Sequence, residues 1–311
     1  MNKWFKLLIS IIISCIGLYY SFSRVNIQEL WVNLSSANII WLFFGSILLI
    51  ISVIIRAFRW QIMIKSIESV KINYLFSSTM IGYFGNSIFP FRLGELLRAY
   101  SISQKSGIQA TTAFGTILTE RLIDMSGLIL TMFLFVFLYP ISYENSQFML
   151  FAVFITLLGL FSIFLLKNNQ SHFSNYLKRF TILKNMVNII NGIVDGLTSL
   201  QDKKDLWIIV FSTIAMWFIY YLITWTVNLA TGIGLGWIDV GIVLIFTSLA
   251  IAIPAAPSAI GTYHAAAIYV LTEMFLFDRL ASQSFAVLLH FVGFIPLISI
   301  GAFFFISSSI R

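Results

Sequence analysis

Three ionisable residues interrupt an otherwise apolar stretch at positions 111–140, and one helix would bring them together. Glu120 and Asp124 are four residues apart and would share a helix face, while Arg121 and Asp124 are three apart and can pair. A charge in the middle of a membrane helix costs on the order of 2.5–3.5 kcal/mol on insertion scales, so such residues are candidates for function.

A second charged group, Arg92, Glu95 and Arg98, follows Asn86 and Pro90 at intervals of three residues, which predicts that both arginines flank the glutamate. The arginines of the two groups could bind a lipid phosphate through paired hydrogen bonds. The carboxylates could hold a cationic headgroup or carry a proton.

A purely structural role is the alternative for these six residues. Three arginines and three acids sum to zero charge, and they could simply lock neighbouring helices together. The two interpretations are compatible, because a binding site needs a supporting network.

Further polar candidates lie in apolar surroundings. Asn86 could line a cavity or cap a half-helix. His264 and His290 each stand in an apolar helix, where a satisfied packing role competes with proton transfer. The sequence therefore predicts eight substrate-binding residues, namely Asn86, Arg92, Glu95, Arg98, Glu120, Arg121, Asp124 and His264.

Composition places these residues in a membrane protein. Of the 311 residues, 59% are hydrophobic and only 10% are charged, and the mean hydropathy is +0.94. A soluble domain carries about 25% charge. The net charge is +7, and the Lys and Arg residues stand beside apolar runs. This placement favours anionic lipid headgroups over nucleic acid as binding partners.

The sequence favours no enzymatic, metal-dependent or cofactor-dependent function. The lone Cys15 stands in an apolar run, and no Cys/His spacing indicates zinc. Motifs such as a nucleophile elbow, a phosphate-binding loop or H-E-x-x-H are absent, and Gly232, Gly234 and Gly236 follow no strand. We expect no cofactor.

The hydrophobic pattern predicts an all-α polytopic fold with about seven full crossings, at 7–20, 39–55, 111–140, 148–166, 206–230, 260–277 and 285–306. The first could be a weak signal peptide, but an uncleaved span is favoured. Two further apolar stretches, 74–91 and 240–254, are broken by Gly or Pro. Residues 167–205 predict an amphipathic helix on the membrane surface.

The distribution of charge predicts a cytoplasmic N-terminus. Basic residues occur at Lys3 and Lys6, in the 56–71 connection and in the 167–204 segment. The 21–38 and 140–146 loops, by contrast, contain one basic residue between them, Arg24. With basic loops inside, 74–91 must enter and leave on the cytoplasmic side as a re-entrant hairpin. The expected location is the cytoplasmic membrane of a bacterium or archaeon.

The two broken stretches share a pattern that indicates an inverted repeat. Pro90 and Gly94 are four residues apart, as are Pro257 and Gly261, and each pair precedes a helix. The chain then divides, within a single transmembrane domain, into an extra N-terminal helix and loop (1–37), a first repeat (38–166), a linker (167–205) and a second repeat (206–311). Such repeats are typical of transporters. Simple helix kinks are the alternative.

At these positions the chain resembles the flippase-like, lysylphosphatidylglycerol synthase transmembrane-region family. The resemblance rests on P-x-x-x-G-E-x-x-R from Pro90 to Arg98, E-R-x-x-D from Glu120 to Asp124, and the segment 254–264. It implies a lipid flippase-type fold with the matched Arg, Glu and Asp residues at its core.

The resemblance also implies limits. Family members that make lysyl-phosphatidylglycerol carry a soluble aminoacyl-transferase domain, which these residues do not contain, so synthase activity is not expected. Many relatives have glycines at the positions of Ser258 and Ala259 and an acid at that of His264, so the second-half site could differ in substrate or coupling.

The function expected from the sequence is therefore movement of a phosphate-bearing lipid, either a phospholipid or a polyprenyl-linked carrier, between leaflets. One alternative is a non-transporting scaffold or regulator of a lipid- or glycan-modifying enzyme. Another is an intramembrane transferase that uses Glu120, Asp124 or His264 as a base. The expected partners are membrane lipids with anionic headgroups, and the candidate protein partners are a second copy or a lipid- or glycan-modifying enzyme.

Overall fold

A computed structural model describes residues 3–23, 25–90, 92–138, 154, 187, 189–192, 202–252 and 257–309. The helices in these ranges are α1 (Lys3–Phe22), α2 (Ile27–Ser35), α3 (Ile39–Ile64), α4 (Ile72–Ile88), α5 (Gly94–Ser106), α6 (Ala110–Leu138), α7 (Lys203–Thr231), α8 (Trp237–Ala252), α9 (Thr262–Tyr269) and α10 (Arg279–Ser309). No strand occurs in the described ranges, so the predicted all-α class is confirmed.

Two long antiparallel helices, α3 and α7, form the centre of the fold. Asn38 donates its backbone N–H to Ala230 at one end of the pair, and Lys65 forms an ion pair with Asp205 at the other. Near the Asn38 end, a Cβ on Gly45 would lie 2.6 Å from Thr226 Oγ1. A glycine at this crossing lets the two backbones approach closely.

Helices α4 and α5 form an antiparallel hairpin whose tip lies at residues 89–93. The Ser78 and Ser101 hydroxyls are 3.0 Å apart, and Lys105 Nζ donates to Ser77 Oγ at 2.7 Å. Near the tip, a Cβ on Gly94 would come within 2.0 Å of the Gly82 carbonyl oxygen. The small residues allow the two arms to lie in direct backbone contact.

A second hairpin follows α7 in the same way. Helix α8 has 16 residues, against 17 in α4. The return arm is α9, with eight residues, continued by a five-residue π-helical turn over Val270–Met274, which matches the 13 residues of α5. The side chains of Tyr263 on α9 and Thr247 on α8 are hydrogen-bonded to each other.

Both tips use left-handed backbone. Arg92 has φ +55° in the first tip, and in the second Ser258 and Ala259 have φ +58° and +53° and Gly261 has φ +96°. Only glycine adopts this region without a steric cost. The conformation explains why glycine would suit the positions of Ser258 and Ala259.

The helices around the two hairpins also pack in matching pairs. In the first hairpin, α4 packs against α3 and α10, and α5 packs against α6. In the second hairpin, α8 packs against α7 and α6, and α9 packs against α10. The order of long helix, hairpin and long helix therefore occurs twice, with α1 added against α9 through Gly17 and Gly261.

The structure corrects three element predictions. Helix α3 continues to Ile64 rather than ending at residue 55, because apolar residues resume after Arg56 and Arg59. Residues 72–88 form a single helix, so the hairpin predicted within 74–91 has its second arm in α5, at 94–106. The full crossing predicted at 260–277 is wrong, because Thr262–Met274 is shorter than the roughly 20 residues that a crossing needs.

Some predictions fall on residues outside the described ranges, including the 148–166 span and most of the 167–205 helix. Residues 187 and 189–192 are helical, and Val187 and Ile190 are buried. A Cβ on Gly192 would lie 2.2 Å from the Thr112 carbonyl oxygen, so this piece packs against α6. The division of the chain into repeats and linker stays a prediction.

The outer surface of the helices is apolar. Phe43, Phe211 and Phe303 on α3, α7 and α10 are each more than 60% exposed. These three helices are long and apolar enough to cross a membrane, within the described part of the chain. An apolar exterior around a partly charged interior is the arrangement expected in lipid.

We expect Gly94→Ala to destabilise the protein, because its Cβ would overlap the backbone of α4. Overpacking of this kind typically costs about 1–3 kcal/mol. Gly293→Ala, also within a helix but with open space around its Cβ, is the matched control and should not lower stability. Thermal unfolding of both variants in detergent measures the difference, and equal midpoints would contradict the predicted close contact.

Candidate functional site

A cavity of about 480 Å³ lies between the two hairpins and the long helices. Its charged lining residues are Arg56 on α3, Arg92 and Glu95 in the first hairpin, and Arg121 and Asp124 on α6. The lining from α7 to α10 carries no charged side chain in the described residues; its polar groups are hydroxyls, including those of Thr247, Ser258 and Tyr263, and the Trp217 indole. The cavity is therefore amphipathic.

Glu120 is the fully buried centre of the charged network. Arg98 on α5 contacts it with two hydrogen bonds, from Nη1 at 3.0 Å and from Nη2 at 2.7 Å. Arg56 on α3 donates from Nη1 to Glu120 Oε1 at 2.5 Å. The Arg98 guanidinium also lies 3.9 Å from the centre of the Trp60 ring. A paired geometry with several donors is what a buried charge needs.

Asp124 extends the network one helical turn along α6. It accepts hydrogen bonds from Arg56 Nη1 at 2.7 Å and from Arg59 Nη2 at 2.5 Å. Arg121, three residues before it, pairs with it at 3.5 Å and with Glu95 at 2.5 Å. The network thus joins α3, α5 and α6, and both predictions made for the α6 trio are confirmed.

The prediction that Arg92 and Arg98 flank Glu95 is wrong. The Glu95 carboxylate pairs with Arg121, while Arg98 turns to Glu120. In the α4–α5 hairpin, α5 packs closely against α6, so bonds between helices replace bonds within one helix. These pairs lock the hairpin to α6, as the alternative interpretation expects.

The six predicted residues sum to zero charge, but the network contains two more charged residues. Arg56 and Arg59 join the six predicted residues, so the described site holds five arginines and three carboxylates, with a net charge of +2. A surplus of positive charge away from water favours a bound anion.

Among these five arginines, Arg92 is the one without a carboxylate partner in the described residues. It is exposed at the hairpin tip, and its Nη2 donates to the Ile251 carbonyl oxygen at 2.8 Å. That carbonyl belongs to the last turn of α8, where backbone acceptors lack helical partners. Arg92 therefore bridges the two hairpin tips and retains further N–H donors.

The remaining predicted residues divide between the cavity and its surroundings. Asn86 lines the cavity from within α4, and its Oδ1 makes no hydrogen bond; it does not cap α5, whose N-cap residue is Leu93. Arg98 and Glu120 support the wall from behind. His264 does not line the cavity but lies against Phe22 and His290.

Sequence reasoning missed Arg56 and Arg59, which are 3% and 0% exposed. It had placed them in a basic connection that follows a span ending at residue 55. The continuing run of Trp60, Met63 and Ile64 could have shown that the helix persists. These two arginines therefore do not count as loop charge, and the cytoplasmic N-terminus stays a prediction.

Loss of the central carboxylate should destabilise the fold strongly. We expect Glu120→Ala to cost roughly 3–5 kcal/mol, because it leaves Arg56 and Arg98 buried without a full set of partners. The control is Glu29→Ala, which removes an exposed carboxylate that accepts a hydrogen bond from Asn26 and should cost about 1 kcal/mol or less. Chemical unfolding in detergent compares the two, and similar losses would contradict a central role for Glu120.

The helices and the charged cavity define an all-α membrane protein. The family described as the lysylphosphatidylglycerol synthase TM region matches residues 7–301. The chain therefore belongs to this family, and the resemblance found in its motifs is confirmed.

Two relatives come from Methanocaldococcus jannaschii. UPF0104 membrane protein MJ1595 is 29% identical over 141 residues, which are 44% of this chain and 40% of the relative. UPF0104 membrane protein MJ1078 is 24% identical over 227 residues, which are 71% of this chain and 93% of the relative. No solved structure matches the chain significantly.

Proposed function

We propose that this protein moves a phosphate-bearing lipid between the leaflets of a membrane. The observation that carries the proposal is the amphipathic cavity, whose charged wall has three arginines and two carboxylates, a net charge of +1, and whose other wall is uncharged in the described residues. A lipid joins an anionic phosphate to apolar chains, so its two parts match the two walls. Neither a soluble anion nor a neutral lipid matches both.

Arg92 is the proposed first contact for the phosphate. The other cavity arginines, Arg56 and Arg121, already hold carboxylates, whereas Arg92 holds only a backbone carbonyl. Exchange of that carbonyl for a phosphate oxygen would gain a charge-assisted hydrogen bond. It would also release the first hairpin tip from α8, which links lipid binding to a change in the cavity.

The arrangement of the helices supports a site that is accessible in turn from each side of the membrane. We propose that the two hairpins are re-entrant elements of an inverted repeat, since α3 and α7 are antiparallel and the helices around the hairpins pack in matching pairs. Broken backbone at membrane depth is tolerated where protein or a water-filled cavity surrounds it. A site at the junction of such repeats can be opened alternately to each leaflet.

The proposal is tested with the full chain reconstituted in phosphatidylcholine vesicles. Tail-labelled fluorescent phosphatidylglycerol, phosphatidylcholine and polyprenyl phosphate are the probes, and reduction of outer-leaflet label by dithionite reports their movement. We expect protein-dependent movement of at least one of the two anionic probes, faster than that of zwitterionic phosphatidylcholine. If neither anionic probe moves faster than in protein-free vesicles, the proposal is wrong and the scaffold alternative gains support.

Substitution of Arg92 tests the site itself. We expect Arg92→Gln to slow movement of the anionic probe about ten- to a hundredfold, because a hydrogen bond to a charged group contributes about 1.5–3 kcal/mol. The matched control is Arg279→Gln, since Arg279 also donates to a backbone carbonyl, that of Tyr20, but lies outside the cavity. Equal rates for the two variants would remove Arg92 from the site.

A further inference from the structure

Two histidines form a contact pair beside the tip of the second hairpin. The rings of His264 on α9 and His290 on α10 have centroids 4.6 Å apart. His290 Nε2 lies 3.0 Å from the Ser258 carbonyl oxygen. His264 is 7% exposed, and its Nδ1 is buried without a hydrogen-bond partner. One imidazole nitrogen of the pair is thus free to take a proton.

The groups that face the pair are aromatic or neutral. Phe22 from α1 lies 5.6 Å from His264, Phe294 from α10 lies 4.2 Å from His290, and Tyr263 from α9 lies 5.2 Å from His290. From α8, Thr247 is hydrogen-bonded to Tyr263. Tyr263 is the one other titratable group among these neighbours in the described residues.

The charged residues of the same elements are far along the chain. Glu273 is nine residues beyond His264, and Arg279 is eleven residues before His290, which is roughly 14–16 Å at the rise of an α-helix. Asp239 stands at the start of α8, where it accepts a hydrogen bond from the backbone of Gly236. No described carboxylate therefore neutralises a proton bound to the pair, and its neighbours are the rings of Phe22, Tyr263 and Phe294.

The pair is connected to the cavity through its immediate neighbours. Ser258, whose carbonyl contacts His290, and Tyr263, which contacts both imidazoles, line the uncharged wall of the cavity. Ser258 is also in the left-handed region, so the hairpin tip that it belongs to is held against a steric preference. A proton on the pair would therefore change the interactions of the second hairpin tip, which lines the uncharged wall of the cavity.

We propose that His264 and His290 form a proton-binding site that couples lipid movement to proton movement. The pair takes a single proton, at His264 Nδ1, because two touching imidazolium rings would repel each other. A proton carried in the same direction as a monoanionic lipid also makes the transported charge zero. This inference rests on the proposed lipid translocation and adds the ion that drives it.

The test measures the distribution of lipid across the bilayer in a pH gradient. The full chain is reconstituted as above with the anionic probe that it moves, the membrane potential is held at zero with potassium and valinomycin, and the inside and outside differ by one pH unit. One proton per lipid predicts a tenfold ratio of probe toward the alkaline side, since one unit is about 1.4 kcal/mol. Internal pyranine should report proton movement in step with the lipid.

Variants of the pair separate coupling from movement. We expect His264→Gln and His290→Gln to equilibrate the probe to an even distribution in the same gradient, with no coupled pyranine signal. His172→Gln, which changes the third histidine of the chain, is the matched control and should keep the tenfold ratio. If His264→Gln does not fold, His290→Gln and His264→Phe provide the same comparison.

The outcomes distinguish this inference from the proposed function. A wild-type protein that moves the probe but leaves it evenly distributed in the gradient overturns the proton site and leaves translocation standing. A tenfold ratio that persists in folded His264→Gln and His290→Gln also overturns it. If the wild type moves neither anionic probe, the translocator itself fails, and the coupling proposal fails with it.

Discussion

The buried carboxylate of Glu120 is the interaction on which the first half of the molecule depends. A charge at a fully enclosed position is tolerated only when donors surround it, and Arg56 and Arg98 supply them from two other helices. Because α3, α5 and α6 each contribute one member, the network fixes the hairpin against the long helices. Beside this network, Arg121 and Glu95 form an ion pair that lines the cavity.

The two halves of the chain share an arrangement of helices but differ in chemistry. The first half places all the charges that line the described cavity, whereas the second half presents hydroxyl, aromatic and aliphatic groups and, behind them, two histidines. Under the proposed function, the first half would hold the charged part of a lipid and the second half would respond to an ion. In this chain the division is sharp, because charged residues of α7 to α10 lie near the helix ends.

Close backbone contact makes this arrangement possible. Gly94 lies against the backbone of α4, and Gly17 and Gly261 lie against each other, while Gly45 leaves room for the Thr226 side chain of α7. In lipid, where apolar burial gives little preference for one helix pair over another, such contacts and buried polar bonds decide the packing. The charged network and the glycine contacts therefore work together.

The sequence by itself determined the class of the protein, the two helix breaks and the charged residues of α5 and α6, because composition, Pro–Gly spacing and i, i+3 or i, i+4 relations are local properties. It did not determine which charged residues pair with each other. Arg98 pairs with Glu120, and Glu95 pairs with Arg121. Arg56 and Arg59 pair with Glu120 and Asp124 from a helix about sixty residues earlier in the chain. Nor could it separate His264 from the charge cluster or join it to His290. These outcomes depend on how helices distant in sequence pack, and only the tertiary structure decides that.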